Sequence, residues 1–347
     1  MALNSSGPIS LAGTTAGQSI ELENGGNGTT QISLNDAAVR SLAGVASGQI
    51  TMPTDFYGKS NAWSGTISAN QTNLNLRTWA LANGWNGSSA ATITIGSGVY
   101  IYSTSTANAG LAIDGAWAGG LTLINNGYIL GMGGVGAGNY NVSATVGGPA
   151  INMGVNCSIT NNSYIAGGGG GGGGNLEVYN ATSDVPGGGG AGGGAGGYKS
   201  PDYWGNSSAA GVGGGPGASG GNGGTAPNGT AGGGGGGGRI LPGTGGVATT
   251  LATGSNGKGG GAGGGGAGWY YLSGTSDHGA AGGSAGNAGG NPPASFGAAG
   301  GGGWGAAGGT RTSAGVWGNG AAGGKAVALN GYTVTRNAVG TRYGAVS

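Results

Sequence analysis

The chain has 347 residues, 98 of them glycine, with one cysteine, 5% charged residues and a formal net charge of +1. So little charge excludes the basic footprint of a nucleic-acid binder and a polybasic membrane anchor, and a lone cysteine excludes an internal disulfide framework and a cysteine-based zinc site. Disordered chains usually combine low hydrophobicity with high charge; this one has the first without the second, which favours order.

Residues 1–10 contain neither the basic nor the apolar part of a signal peptide, and no run of about 18 apolar residues follows anywhere. The expectation is a product made in the cytoplasm, without membrane insertion. Residues 8–11 and 19–23 alternate polar and apolar side chains and read as two short strands joined by glycine and asparagine turns. At residues 37–43 the pattern changes. Asn35 or Asp36 can cap the first turn of a helix, Ala38, Val39 and Leu42 share a face, and Gly44 supplies the left-handed stop. Residues 1–60 thus form a small opening unit.

Residues 61–166 are rich in β signals, with a short helix expected over residues 76–82 and strands over 92–95 and 99–102. An internal repeat follows. Asn125-Asn126-Gly127-Tyr128-Ile129 aligns with Asn161-Asn162-Ser163-Tyr164-Ile165 at an offset of 36 residues, and each copy is preceded by a matching small element, residues 110–113 and 148–151. Stacked β-coils are the simplest meaning, because each coil covers the apolar face of the one before. A partial third echo occurs at Gly323-Gly324-Lys325-Ala326-Val327, with Asn330-Gly331-Tyr332 as another strand start. Residues 325–347 are therefore expected to return to the β-unit, which makes residues 167–324 an insertion whose two ends lie close together.

That insertion opens with eight consecutive glycines, residues 167–174, and further tracts run over 187–197, 211–224, 232–238, 257–268, 279–290, 297–309 and 315–324. Collagen would place glycine at every third position with abundant proline, and a flexible linker would lack large rings. Here glycine runs are continuous, prolines number 10, and the interruptions carry Tyr179, Tyr198, Tyr203, Trp204, Trp269, Tyr270, Tyr271, Phe296, Trp304 and Trp317. Glycine strands with three residues per turn and outward-pointing peptide groups can instead pack side by side, each bonding its neighbours, as a polyglycine-II lattice. A tract of eleven residues would span roughly 34 Å at ~3.1 Å per residue. The fold class expected is mainly β with little helix: a small opening unit, a solenoid-like stack of coils, and a large inserted polyglycine-II lattice.

Chemistry is hard to find. Residues 217–221 and 282–286 fit G-x-S-x-G but neither follows a strand nor opens a helix. Tyr57-Gly58-Lys59-Ser60 shares the end of a phosphate loop, yet Pro53 stands where the first glycine belongs. Asp184, Asp202 and Asp277 lie in separate interruptions, and the only histidine is His278. No enzyme, metal, cofactor or nucleotide site is expected. The rings admit two readings: large rigid contact surfaces for a partner, or covers for a lattice that has no side chains of its own. Trp304 and Trp317, near tract ends, are expected to cover. Tyr198, Tyr203, Trp204, Trp269, Tyr270, Tyr271 and His278, in the longer loops, are the candidates for contact with a receptor.

The opening pattern ending in Asp55-Phe56-Tyr57-Gly58-Lys59, the two Asn-Asn-x-Tyr-Ile coils running into poly-glycine, and the closing Gly340-Thr341-Arg342-Tyr343-Gly344 resemble the glycine-rich tail proteins of tailed bacteriophages. The glycine region is similar to the polyglycine-II receptor-binding domain of T-even-type tail-fibre adhesins. The resemblance implies a virion tail adhesin or tail-tip protein: residues 1–60 attach to other tail proteins, and variable loops meet a host surface protein or polysaccharide. A homo-oligomer stays open. Two further readings stand beside it, a purely architectural virion protein and an ice-binding protein, although rows of threonine or alanine at three-residue spacing are not visible in the glycine region.

Overall fold

The computed structural model describes residues 2–138, 142–174, 187–197, 211–221, 237–238, 280–291, 299–310 and 319–347. Among the described residues, fourteen strands build three sheets, all of parallel pairs, in a repeating order. The first sheet is β1 (Trp63–Ile67), β4 (Ala91–Ile95), β7 (Leu121–Asn125), β10 (Cys157–Asn161) and β13 (Val334–Ala338). The second is β2 (Gln71–Thr72), β5 (Tyr100–Tyr102), β8 (Tyr128–Leu130), β11 (Tyr164–Ala166) and β14 (Thr341–Tyr343), and the third is β3 (Leu74–Asn75), β6 (Leu111–Ile113), β9 (Ile151–Met153) and β12 (Val327–Ala328). Each coil of chain therefore gives one strand to each sheet in turn, which is a three-sided parallel β-solenoid.

The strands form where β-branched residues alternate with polar ones, as in Ala91–Ile95, whose Ile93 and Ile95 are fully buried while Thr92 and Thr94 are half-buried. Parallel pairing stacks like on like. Ile93, Leu123 and Ile159 make one interior column, and Ile101, Ile129 and Ile165 a second. Burying each such side chain is worth about 1.5–3 kcal/mol. The 36-residue repeat is two successive coils in register: Tyr128 lies beside Tyr164, and Asn125 Nδ2 donates to Asn161 Oδ1 at 2.7 Å. Both asparagines are buried, and both are fully occupied. Asn125 also donates to the Tyr164 carbonyl and accepts from Gly127 N, while Asn161 donates to the carbonyls of Val339 and Thr341.

Val327 returns to pair with Ile151 in the third sheet, so the C-terminal residues do rejoin the solenoid. The Asn330 motif occupies a different place from its expected equivalents. Asn330 and Gly331 form a left-handed turn before the first-sheet strand of coil five, whereas Asn125 and Asn161 end such strands. Its side-chain amide instead donates to Asn152 Oδ1 on β9.

Residues 2–60 gather around a separate apolar cluster of Leu3, Ile20, Val39, Leu42, Ala43, Ile50 and Phe56. The expected helix is α2 (Ala37–Ala43), stopped by Gly44 at φ 75°, but Asp36 does not cap it; its carboxylate accepts from Ser33 N. The strand expected at residues 19–23 is corrected by the structure. Only Ser10 and Ser19 form a bridge; Ser19 Oγ then accepts from Leu22 N and starts α1 (Ile20–Glu23). Alternation misled because both glutamates of the helix are buried and used: Glu21 accepts from Asn27 N and Gly28 N, and Glu23 from Ser60 Oγ and Asn61 N. The third helix, α3 (Leu76–Ala82), lies where the sequence places it, capped by the Asn75 side chain.

Burial pushes the Cys157 thiol up to about 12. The thiolate is the reactive form, so Cys157 is expected to stay unmodified by Ellman's reagent in the native protein at pH 8 and to react only after denaturation. Rapid native labelling would show that coil four opens.

Candidate receptor-binding face

The chain leaves the solenoid twice between the second and third sheets, after β8 and after β11, and both excursions enter one lattice. Its central strand is residues 167–174. Gly168 and Gly171 donate to the carbonyls of Gly148 and Thr145, Gly169 and Gly172 to those of Ala191 and Gly188, and Gly170 and Gly173 to those of Ala306 and Gly309. The carbonyls are met in the same rhythm. Gly167, Gly170 and Gly173 accept from Gly305, Gly302 and Ala299; Gly168 and Gly171 accept from Gly324 and Ala321; Gly169 and Gly172 accept from Gly134 and Ala137. Three neighbours receive and three give, at a period of three residues, which is the hexagonal order of polyglycine II. The bond from Gly324 N to Gly168 O, 2.7 Å, also closes the two ends of the insertion on one another.

On the central strand the closest approaches admit only glycine. A Cβ on Gly168, Gly170 or Gly171 would stand 1.9 Å from the carbonyl oxygen of Met132, Ala321 or Val135. Gly170→Ala is therefore expected to cost roughly 3 kcal/mol or more, since backbone must move to admit it, whereas Gly215→Ala, with nothing within 4 Å, is expected to stay within about 0.5 kcal/mol of wild type. Denaturant titration of the two variants checks the contrast.

The two ends of the lattice differ. At the end nearest the solenoid, strands reverse in tight turns at Gly192 and Gly193, Gly217, Gly286 and Gly305, all with positive φ. These turns meet the outer face of the second sheet. Tyr100, Tyr128 and Tyr164 stack there with ring centroids 4.5 and 5.5 Å apart, and Trp304, fully buried, packs with Leu130, Ala166 and Ala191 against these rings, Tyr102 and Tyr343. Burial beside Tyr128 raises the Tyr100 phenol above its ordinary value. Trp304 thus covers, as its position near a tract end suggests. Replacing it with alanine is expected to cost about 3–5 kcal/mol, read as a lowered denaturation midpoint, with Trp304→Phe intermediate.

At the opposite end, Gly138 N bonds to Val142 O, Gly187 N to Ala137 O, Gly197 N to Gly187 O, Ala299 N to Gly173 O and Thr310 N to Asn291 Oδ1. The described residues that flank stretches 139–141, 175–186, 198–210, 292–298 and 311–318 consequently converge on this distal end. Gly196 N to Gly211 O adds the far flank of 198–210, and Ala280, which follows stretch 239–279, packs there beside Gly290, whereas Gly238, which precedes that stretch, accepts from Gly192 N at the solenoid end. Tyr198, Tyr203, Trp204, Trp269, Tyr270, Tyr271 and His278 themselves lie outside the described residues, as do Trp317, Tyr179, Phe296, Asp184, Asp202 and Asp277. Sequence reasoning missed the two lattice strands of coil three, residues 131–138 and 142–149; the glycine pairs at 133–134 and 147–148 are the signal that marks them.

A short-turned end seated on a solenoid and a distal end on which the flanks of five interruptions converge define a display scaffold. Residues 63–232, just under half of the chain, match the family model described as phage tail fibre adhesin Gp38. The fold is similar to that in the crystal structure of the gp37–gp38 adhesin tip complex of the bacteriophage S16 long tail fiber, with a TM-score of 0.50, 20% identity, and coverage of 97% of this chain and 100% of that one. No curated protein sequence matches the chain. Residues 1–62 and 233–347 fall outside the family match.

Proposed function

We propose that the protein is a bacteriophage tail adhesin or tail-tip protein that binds a host surface receptor through the interruptions at the distal end of its lattice, and that it does so without catalysis. The observation that carries this reading is the convergence of the flanks of 139–141, 175–186, 198–210, 292–298 and 311–318 on one end, away from the solenoid. A rigid backbone lattice tolerates changes in the stretches it displays far better than changes within its strands, where an added methyl group meets a carbonyl oxygen. Tyrosine and tryptophan in those stretches give large contact area at low entropic cost, which suits a host protein or polysaccharide.

Within this proposal residues 1–60 attach the chain to other tail proteins, residues 61–166 and 325–347 form the platform, and residues 167–324 carry the receptor face. Exchanging residues 198–206 and 269–278 for those of a phage with another host is expected to lower adsorption to the original cells at least about tenfold, with the number of copies per particle unchanged. Adsorption that stays at the wild-type rate would remove the receptor role and leave the lattice as virion architecture.

A further inference from the structure

The last coil of the solenoid breaks the rule its predecessors follow. In the column Ile93, Leu123, Ile159 the next residue is Arg336, and in the column Ile101, Ile129, Ile165 the next is Arg342. Two guanidinium groups thus take the places of core side chains at the end of the stack. Both line a groove with Ile159, Ile165, Val334, Val339 and Val346. Nη1 of Arg342 is buried and has no hydrogen-bond partner among the described residues. The strands that carry the arginines, β13 and β14, pair on one side only, so their other edge presents unpaired peptide groups among the described residues.

Among the side chains described at this end, charge is one-sided. Lys325 lies nearby, its Nζ on the carbonyl of Ser347. Every carboxylate among the described residues is engaged elsewhere: Glu21, Glu23, Asp36 and Asp55 within residues 2–61, and Asp114 on the Asn75 amide. Inward charges on an edge strand do discourage end-to-end association of identical chains. A buried donor without an acceptor is a separate matter, because leaving it so costs stability that a bound carboxylate would restore.

We infer that this end of the solenoid is a docking edge for an extended acidic segment of another tail protein, which adds as a further strand along β13 and β14 and brings carboxylates to Arg336 and Arg342. Backbone pairing to the open edge supplies affinity, and the apolar groove with its two cations supplies selectivity. A second copy of this chain would bring its own arginines and is disfavoured. The inference rests on the proposed place of the protein in a phage tail, but not on the receptor role of its loops.

The test is a photo-crosslinking amino acid at Val339, which is 54% exposed, in protein assembled into infectious particles. The expected product joins Val339 to a peptide of another virion protein that contains aspartate or glutamate. Its yield should fall at least about tenfold in the Arg336→Glu/Arg342→Glu variant, as the loss of two desolvated ion pairs requires. Should that variant unfold, Arg336→Gln/Arg342→Gln is measured in its place, with the same fall expected. A crosslink within the chain, to a second copy, or to a peptide without carboxylates overturns the inference, as does no intermolecular product or a yield indifferent to both variants. Particles carrying exchanged distal stretches should keep the crosslink, which separates failure of this edge from failure of the receptor face.

Discussion

Glycine strands have no side chains with which to fill an interior, so the interior of this lattice is made of peptide groups, and each buried N–H and C=O must find another. Ordering a glycine backbone costs about 1–2 kcal/mol per residue or somewhat more, and a single hydrogen bond returns only about 0.5–1.5 kcal/mol net. The strand at residues 167–174 meets this by bonding to neighbours on all sides at a three-residue period. Weak contacts from Cα–H groups, possible only at separations that exclude a Cβ, add to the balance. The same closeness that forbids alanine at Gly168, Gly170 and Gly171 is what brings donors to acceptors.

Such a lattice needs a template, because nothing in a glycine tract sets its register. The solenoid provides it. The second-sheet strands β8 and β11 run directly into lattice strands at Gly131 and Gly167, which stay neighbours as the bonds from Gly131 N to Ala166 O and from Gly134 N to Gly169 O change from the ladder period to one of three residues. Tyrosines on the outer face of that sheet then seat the tight turns, with Trp304 sealed between them. One end is thereby fixed by packing and hydrogen bonding to a conventional β-structure, and the other is left to carry variation.

Much of this was legible in the residues. The 36-residue offset gave coil pairing and the correct partners for Asn125, Tyr128 and Ile129, because parallel stacking puts identical residues side by side. Continuous glycine with interspersed rings pointed to a lattice, and the pinned ends followed from the Val327 echo. Less legible were features set by contacts distant in sequence. Alternation at residues 19–23 looked like a strand because burial of Glu21 and Glu23 depends on backbone donors at Gly28 and Asn61. Asn330 shares a motif with Asn125 yet sits in a turn, since in coil five the chain reaches the first sheet only at Val334. Arg336 and Arg342 could not be recognised as occupants of core columns before the registers of β13 and β14 were known.

Amide hydrogen exchange of the native protein, read by mass spectrometry over residues 167–174, tests most directly whether backbone bonding holds the lattice. Every amide from Gly167 to Gly173 has a carbonyl partner, so the account predicts protection comparable to that of the solenoid strands β7 and β10, in spite of the absence of side chains. Exchange at the rate of an unstructured glycine peptide would contradict it.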